Sequence, residues 1–146
     1  PQFMPSSIAK CAVDFDGNGR IDLSRSPGDA IGSVAHYFQA YGWHTGMPTH
    51  FEVQVNANEA DLAALLAPDI VPTWSLSYLQ DKGIEVLDAS GYAQPLALVQ
   101  LFNADEAPSY VAGTENFFVI TRYNRSSYYA LAVIELGEAV AKALGE

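Results

Sequence analysis

The 146-residue chain is long enough for one ordinary domain or two small ones, and its hydrophobic content of 49% is sufficient for a buried core. Asp and Glu number 17 against seven Lys and Arg, so the net charge of −10 argues against binding to nucleic-acid phosphates or to an anionic membrane surface. The single cysteine, Cys11, excludes an internal disulfide and a thiolate zinc cluster, and no apolar run approaches the roughly 20 residues that span a bilayer.

The first predicted elements are two helices that flank an acidic loop. Residues 8–13 predict the first helix, with Ser6 or Ser7 as its cap. Residues 29–38 predict the second, because apolar side chains recur there at the spacing of one helical face. These apolar residues are Ile31, Val34, Ala35 and Phe38. Two helices joined by such a loop are the layout of an EF-hand.

The loop itself begins like a calcium-binding loop. An EF-hand supplies oxygen ligands from loop positions 1, 3 and 5, and it has a glycine at position 6 for a sharp turn. Counted from Asp14, these positions hold Asp14, Asp16, Asn18 and Gly19, and Asp22 stands at position 9. The start of the loop therefore predicts a calcium site.

The end of the loop departs from the EF-hand pattern. Position 12, which should be an acid, is Arg25, and a cation cannot close the site. The nearest downstream acid is Asp29, and the turn residues 26–28 allow a longer loop that brings this carboxylate back. The sequence predicts an enlarged EF-hand-like site. The alternative is a turn that binds no ion, since turns favour the same residues.

A second kind of pattern begins at Phe51, where apolar and polar residues alternate over 51–55 as in a half-buried strand. Further strands are predicted at residues 83–87, 96–103, 109–112 and 116–121. Short helices are predicted at residues 59–66, with Asn58 as the cap, and at 75–80.

The last predicted helix is capped by Ser126 and extends to Ala143. Its apolar stripe consists of Tyr129, Val133, Leu136 and Val140. The elements together predict an α+β fold in three parts. These parts are a helical segment over 1–46, a small β-rich domain over 47–115, and a strand and final helix over 116–146 that return to the helical part.

Polar and aromatic side chains cluster just before the last helix, in segment 123–129, which contains three tyrosines and one asparagine. Aromatic rings stack on the apolar faces of sugars, while amide and hydroxyl groups hold the polar edges of the ligand. A helix cap with core tyrosines is an equally good interpretation of the composition. No pair of acids in the chain is marked as the catalytic pair of a glycosidase.

Three segments carry a resemblance to a known family. They are QFMPSS at residues 2–7, AVDFDGNG with DAIGSVA and YF within residues 12–38, and NFF with ITRYN within residues 116–124. In order and spacing they resemble the C-terminal part of membrane-bound lytic transglycosylase B and its soluble relatives. The segment between about Thr45 and Thr114 is less distinctive.

This resemblance implies a partial lysozyme-like helical core with an EF-hand-like calcium loop and a small inserted β-rich domain. Such enzymes cleave the β-1,4 bond between N-acetylmuramic acid and N-acetylglucosamine in peptidoglycan without hydrolysis, and they leave a 1,6-anhydromuramoyl end. A single glutamate acts first as acid and then as base. The family motif that contains this glutamate is absent from the sequence, so we expect it upstream of Pro1, and we expect the present chain alone to be inactive.

The resemblance also assigns binding residues. The saccharide-binding positions of the family fall on Gln2, Met4, Tyr37, Tyr123, Asn124 and Tyr129. The ligands of a structural calcium fall on Asp14, Asp16, Asn18, the Arg20 carbonyl and Asp29.

The expected partners are peptidoglycan glycan strands and the N-terminal segment of the same enzyme, in the periplasm or at the outer membrane of a Gram-negative bacterium. An alternative hypothesis is a non-catalytic, calcium-dependent binding module of the cell envelope, similar to a dockerin. Dockerins carry two such loops, whereas this chain has one.

Overall fold

The computed structural model describes residues 1–145, and the chain forms two compact units. Unit 1 spans Pro1–His44, and unit 2 begins at Thr45. The boundary lies two residues before the one predicted after residue 46. The segment from residue 116 onward belongs to the same compact unit as the β-strands, and its return to the helical part of unit 1 stays a prediction.

Unit 1 contains two helices, α1 (Pro5–Cys11) and α2 (Pro27–Ala40), joined by an irregular loop. The first helix begins earlier than predicted because Pro5 occupies its first turn, where a missing N–H costs nothing. Capping by Ser6 or Ser7 is therefore wrong, since Met4 holds the N-cap position and offers no side-chain hydrogen bond. Helix α2 is confirmed, and its cap is Ser26.

The face of α2 that packs in unit 1 is not the apolar stripe. Its buried residues are Asp29, Gly32, Ser33 and Tyr37, whereas the side chain of Ile31 is 70% exposed. The stripe instead lines a surface groove of about 440 Å³ together with Pro1. Helical spacing predicted which residues share a face, but it did not predict which face the loop covers.

Unit 2 is built around one antiparallel sheet of four strands, in the order β2-β1-β4-β3. The strands are β1 (His50–Val55), β2 (Ile84–Val86), β3 (Ala97–Asn103) and β4 (Glu106–Gly113). They confirm the strands predicted at 51–55, 83–87, 96–103 and 109–112. In the register of the sheet, Ala112 pairs with Phe51 on one side and with Leu98 on the other.

Two short helices cover one face of this sheet, α3 (Glu59–Leu66) and α4 (Leu76–Asp81). Their predicted caps are confirmed, because Asn58 accepts from the Asp61 amide and Ser75 accepts from the Tyr78 amide. The core between helices and sheet includes Leu65, Leu79, Ile84, Val86, Leu96, Leu98 and Ala112.

The strand predicted at 116–121 is wrong, because these residues belong to helix α5 (Glu115–Tyr123). Thr114 caps this helix, since its side chain accepts a hydrogen bond from the Asn116 amide. The cap is held in place by the Thr114 hydroxyl, which lies 2.6 Å from the Pro48 carbonyl oxygen. A short apolar run fits either a strand or a buried helix. Here the Thr114 cap favours the helix.

The last helix, α6 (Ser127–Leu144), is confirmed with Ser126 as its cap. Its apolar stripe does not match the buried face, which holds Ala130 and Ile134. Leu136 and Val140 are 65% and 50% exposed. No helix within residues 1–145 is both long and apolar enough to cross a bilayer.

Candidate calcium site and aromatic clusters

Three carboxylates converge in the loop between α1 and α2. Asp14, Asp16 and Asp29 each offer an oxygen, and these oxygens all lie within 4.8 Å of one another. Calcium–oxygen distances are about 2.3–2.6 Å, so two ligands on opposite sides of one ion lie up to about 5 Å apart. The three carboxylates therefore have the spacing and the hard oxygen donors that a single Ca²⁺ requires.

Asp29 organises the loop although it is fully buried at the start of α2. One of its carboxylate oxygens accepts from the Phe15 amide at 2.9 Å, and the other accepts from the Asp22 amide at 2.8 Å. The hydrogen bond from the Asp22 amide, aided by those from Phe15 and Asp16, holds the pKa of Asp29 below its ordinary value, while burial acts in the opposite direction. The group is therefore held as a carboxylate.

The other two acids are placed by turns of the loop. Asp14 accepts from the amides of Gly17 and Gly19 at 2.8 and 2.7 Å. Both glycines have positive φ values, 72° and 84°, which side chains other than glycine rarely adopt. Asp16 accepts from the Ser26 hydroxyl at 2.9 Å, so the cap of α2 also fixes one of the clustered carboxylates.

The remaining predicted ligands are less clearly placed. Asn18 turns its side-chain oxygen to the Arg20 amide at 3.0 Å, and ligation by Asn18 and by the Arg20 carbonyl stays a prediction. The carboxylate of Asp22 is not a member of the three-acid group, and one of its oxygens accepts from the amides of Ser24 and Arg25. Asp29 lies with Asp14 and Asp16 in this group, and its role as the closing ligand stays a prediction.

The loop packs closely on α2. A Cβ added at Gly32 would lie 2.4 Å from the Phe15 ring and 2.6 Å from its Cβ, so the loop reaches the helix only because residue 32 is glycine. The buried Ser33 hydroxyl accepts from the Val13 amide at 3.0 Å. These contacts make α2 the support on which the three acids are assembled.

A cluster of aromatic rings in unit 1 surrounds Tyr37, which is only 5% exposed. Its ring centroid lies 4.3 Å from that of Tyr41 and 5.7 Å from that of Phe3. The Lys10 ammonium lies 4.3 Å from the centroid of Tyr41 on the same cluster. Of the other predicted saccharide residues of this unit, Gln2 is exposed and Met4 is 69% exposed.

Two of the three tyrosines predicted to cluster in segment 123–129 contact each other, and the third does not join them. Tyr123 and Tyr129 stack with their ring centroids 6.3 Å apart and an interplanar angle of 14°. Asn124 is exposed between them in sequence, at the C-cap of α5. Burial, and to a lesser degree the neighbouring Tyr123, raises the pKa of the Tyr129 hydroxyl. The third tyrosine, Tyr128, instead hydrogen-bonds the backbone of β3 at Phe102.

The predicted saccharide-binding residues thus lie in both units. Tyr123, Asn124 and Tyr129 are close together in unit 2, while Gln2, Met4 and Tyr37 belong to unit 1. A shared groove that contains both sets stays a prediction.

Sequence reasoning missed two cavities of unit 2. One, of about 560 Å³, lies between the sheet and α6 and is lined by His50, Glu52, Tyr110, Tyr128 and Glu135 among others. The second, of about 320 Å³, is lined in part by Arg122 and Arg125. The only sequence signal for the second is a pair of arginines in segment 122–125, in a chain that has few basic residues.

A family model described as "Transglycosylase SLT domain" matches residues 1–138. The chain belongs to this family. It is 44% identical to membrane-bound lytic murein transglycosylase B of Escherichia coli K12 over 142 residues, which are 97% of this chain and 37% of the relative. The chain thus spans little more than a third of the length of this curated relative.

Solved structures of this transglycosylase family have the same fold. Catenated lytic transglycosylase SltB1 from Pseudomonas aeruginosa matches 98% of this chain and 46% of its own, with 43% identity and a TM-score of 0.86. Escherichia coli Slt35 in complex with calcium matches 99% of this chain and 44% of its own, with 38% identity and a TM-score of 0.81. The mixed helical and antiparallel fold of the chain is therefore that of Slt35-like lytic transglycosylases.

A further relative has been solved with a peptidoglycan fragment. SltB3 from Pseudomonas aeruginosa, in complex with NAG-NAM-pentapeptide, covers 90% of this chain and 35% of its own, with 36% identity and a TM-score of 0.73. Related transglycosylases thus bind ligands that combine sugars with a peptide.

Proposed function

We propose that this chain is the glycan-binding and calcium-holding part of a lytic transglycosylase that acts on peptidoglycan in the envelope of a Gram-negative bacterium. The observation that carries the proposal is the family match over residues 1–138. The stacked pair of Tyr123 and Tyr129 beside the exposed Asn124 supports it, because this arrangement suits the face and polar edge of a sugar.

The proposed reaction breaks the β-1,4 bond between N-acetylmuramic acid and N-acetylglucosamine without adding water. A glutamate on an N-terminal segment of the same enzyme donates its proton to the leaving oxygen. It then removes the proton of the C6 hydroxyl of the muramic acid while that oxygen bonds to C1, so the product carries a 1,6-anhydro ring. The residues of the present chain bind and orient the sugars for this step.

Each saccharide residue has a distinct role in this proposal. Tyr123 and Tyr129 form the stacking surface, and the Asn124 amide hydrogen-bonds a sugar substituent. Gln2 and Met4 form a separate sugar-contacting surface within unit 1. Tyr37, which is almost fully buried, supports that surface of unit 1 through its ring contacts with Phe3 and Tyr41.

Calcium has a structural role in this proposal. Asp14, Asp16 and Asp29 would hold the ion, and the Asn18 side chain and the Arg20 carbonyl would complete its shell. The charge of the ion would offset the repulsion between three close carboxylates and fix an EF-hand-like loop on α2. Support comes from the spacing of the three acids and from the calcium complex of Slt35.

The N-terminal segment that carries the glutamate is the expected partner of the exposed apolar surfaces. The α2 stripe around Ile31 and Val34 is solvent-facing within unit 1, and Leu136 lies exposed on α6 within unit 2. Apolar surface of this kind is stabilised when another part of the protein covers it.

The test uses the full-length enzyme and purified cell-wall sacculi. Tyr123→Ala and Tyr129→Ala are each expected to lower kcat/KM about 10- to 100-fold, since stacking on an aromatic surface contributes about 1–3 kcal/mol in comparable contacts. Tyr78→Ala is the matched control, because Tyr78 is exposed and stacks on Trp74 elsewhere in unit 2. Products are separated by chromatography and identified by mass.

The proposal requires products with 1,6-anhydromuramoyl ends, which are lighter by one water than hydrolysed ends. Reducing ends from hydrolysis would contradict the assigned reaction. Calcium-dependent binding to an envelope protein with no cleavage of glycan would instead support the binding-module alternative.

A further inference from the structure

Tyr128, the third tyrosine of segment 123–129, joins the start of α6 to the sheet. Its hydroxyl accepts a hydrogen bond from the Phe102 amide at 2.7 Å and donates one to the Phe102 carbonyl at 3.1 Å. Tyr128 is the second residue of α6, and Phe102 lies in β3, 26 residues earlier in the chain. One hydroxyl therefore satisfies both backbone groups of a residue that is distant in sequence.

The partner of Tyr128 lies on an edge strand. In the order β2-β1-β4-β3, strand β3 has a neighbour on one side only, so some of its backbone groups face away from the sheet. The register between β3 and β4 shifts between Leu101 and Asn103, on either side of Phe102, and such irregularities bend a strand locally. Tyr128 supplies at Phe102 the two hydrogen bonds that a further antiparallel strand would supply.

Packing between the sheet and this side of α6 is incomplete. A cavity of about 560 Å³ lies between them, and Tyr128, Leu131, Ala132 and Glu135 form its α6 side. Side chains that border an open space have fewer atoms in contact to hold them in one position. The hydrogen bonds of Tyr128 to Phe102 therefore hold the first turn of α6 where packing contributes little.

The same helical turn carries Tyr129 of the stacked pair. Successive side chains of an α-helix point about 100° apart, so Tyr128 reaches the sheet while Tyr129 stacks on Tyr123. The Ser126 cap holds the backbone of this turn through the Tyr129 amide at 3.2 Å. A rotation of the turn about the helix axis would break the hydrogen bonds to Phe102 and displace the Tyr129 ring from Tyr123.

We propose that Tyr128 is a positioning residue, which holds the Tyr129 ring in place for a sugar by connecting α6 to β3. This inference rests on the proposed function, because it requires Tyr123 and Tyr129 to contact the glycan. A ring that is already held in its binding position loses less conformational entropy when the sugar binds. Loss of the Tyr128 hydroxyl should then weaken sugar binding, although Tyr128 itself makes no contact with the sugar in this proposal.

The test uses the full-length enzyme and soluble glycan strands. Tyr128→Phe removes only the hydroxyl, and we expect it to raise KM about three- to tenfold, the effect of one lost hydrogen bond. The kcat should change less than about twofold, since the lost interaction serves binding and not the chemical step. Thermal melts and circular dichroism check that the variant is folded.

Tyr110→Phe is the matched control. It removes the same group from the lining of the same cavity, but the Tyr110 hydroxyl accepts from Gln100, so the lost hydrogen bond lies within the sheet. We expect the KM of this variant to equal that of the unmodified enzyme. An equal rise of KM in Tyr110→Phe and Tyr128→Phe would overturn the proposal.

A double-mutant cycle separates positioning from a general structural role. Tyr128→Phe is also introduced into the Tyr129→Ala enzyme. If Tyr128 acts through the Tyr129 ring, its hydroxyl has no effect once the ring is absent, and the KM of the double variant should match that of Tyr129→Ala within about twofold. The same rise of KM on loss of the hydroxyl in both backgrounds would refute the positioning role.

The same assays distinguish this inference from the proposed function. If the unmodified enzyme cleaves glycan and Tyr129→Ala lowers kcat/KM, but Tyr128→Phe leaves KM unchanged, the positioning role alone is wrong. If the unmodified enzyme cleaves no glycan, the proposed function is wrong and the positioning role is refuted with it.

Discussion

At the scale of single residues, Asp29 has the largest role in unit 1. Its carboxylate accepts hydrogen bonds from both arms of the acidic loop and also belongs to the three-acid group. The sequence predicted it as the closing acid because it is the nearest downstream carboxylate after Arg25. The hydrogen bonds to Phe15 and Asp22 could not be predicted, since they depend on the path of a loop longer than the EF-hand standard.

Calcium is expected to raise the free energy of unfolding, by about 2.7 kcal/mol at one hundred times its Kd. Asp29→Asn should abolish this stabilisation, because an amide supplies no charge and its NH₂ group faces either the Phe15 or the Asp22 amide, which are both donors. Thermal melts with calcium and with chelator measure both effects. Asp105→Asn, in an exposed turn, should retain the full calcium shift; the same Tm in calcium and in chelator would argue against ion binding by the loop.

The ion pair of Asp61 and Lys82 gives a pH dependence whose sign is fixed. Hydrogen bonds from Lys82 and then Asn58 hold the pKa of Asp61 below 3.8, and Asp61 raises the pKa of Lys82 above 10.5. The Asp61 contribution to stability is therefore present above about pH 3.8 and is lost as pH falls through the lower folded value. The Lys82 contribution is present below pH 10.5 and is lost as pH rises through the higher folded value.

Asp61→Asn should therefore flatten the loss of stability below about pH 4, with a small amplitude because the pair is partly exposed. Urea unfolding between pH 2 and 6 measures the difference from the parent chain. Asp105→Asn serves again as the control, and a larger flattening in that variant would contradict the assignment.

At the scale of elements, local signals predicted more than packing did. Caps at Asn58, Ser75 and Ser126 correctly marked helix starts, since they satisfy amides within the same segment. The strand predicted at 116–121 is wrong because its short apolar run fits either a strand or a helix, and the Thr114 cap that begins the helix was not recognised. The Thr114 hydroxyl is oriented by carbonyls that are distant in sequence, at Pro48 and Thr49. The apolar stripes of α2 and α6 did not predict the buried faces of these helices, because periodicity does not identify which part of the chain packs against a face.

Gly32 shows how one element supports another. Gly32→Ala should destabilise unit 1 by about 1–3 kcal/mol, because the new methyl group would collide with the Phe15 side chain near its backbone and push the loop off α2. It should also weaken calcium affinity. Urea unfolding and calcium titration measure the two effects.

The matched control is Gly137→Ala in α6, where a Cβ would meet no atom within 4 Å. That change should stabilise the helix by up to about 1 kcal/mol, since alanine is the better helix former. If Gly32→Ala stabilised the protein as Gly137→Ala does, Phe15 would not pack against α2 at residue 32.

At the scale of the whole molecule, the chain consists of two compact units with different sources of stability. Unit 2 has a sheet with a continuous apolar core that includes Leu65 and Leu98. Unit 1 has two helices and a loop held by carboxylate–amide hydrogen bonds. The ligand-dependent part of stability is therefore expected in unit 1.

Hydrogen exchange tests this division. Calcium should slow exchange of the Phe15 and Asp22 amides, which donate to Asp29, by about tenfold or more. The amides of β3 and β4 should exchange at the same rate with and without calcium. Equal slowing in both units would mean that they unfold together.

The start of β1 and the end of β4 are neighbours in the sheet, and this limits how a change in the length of the chain between them affects the rest of the protein. The first residue of β1 and the last residue of β4, His50 and Gly113, are paired neighbours, and the Thr114 amide donates to the Thr49 carbonyl at 3.0 Å. The two ends of this stretch of chain, residues 50 and 113, therefore lie next to each other. Because the two ends of this stretch stay joined, we expect a change in its length between residues 50 and 113 to disturb the rest of the chain less than a substitution at the paired ends.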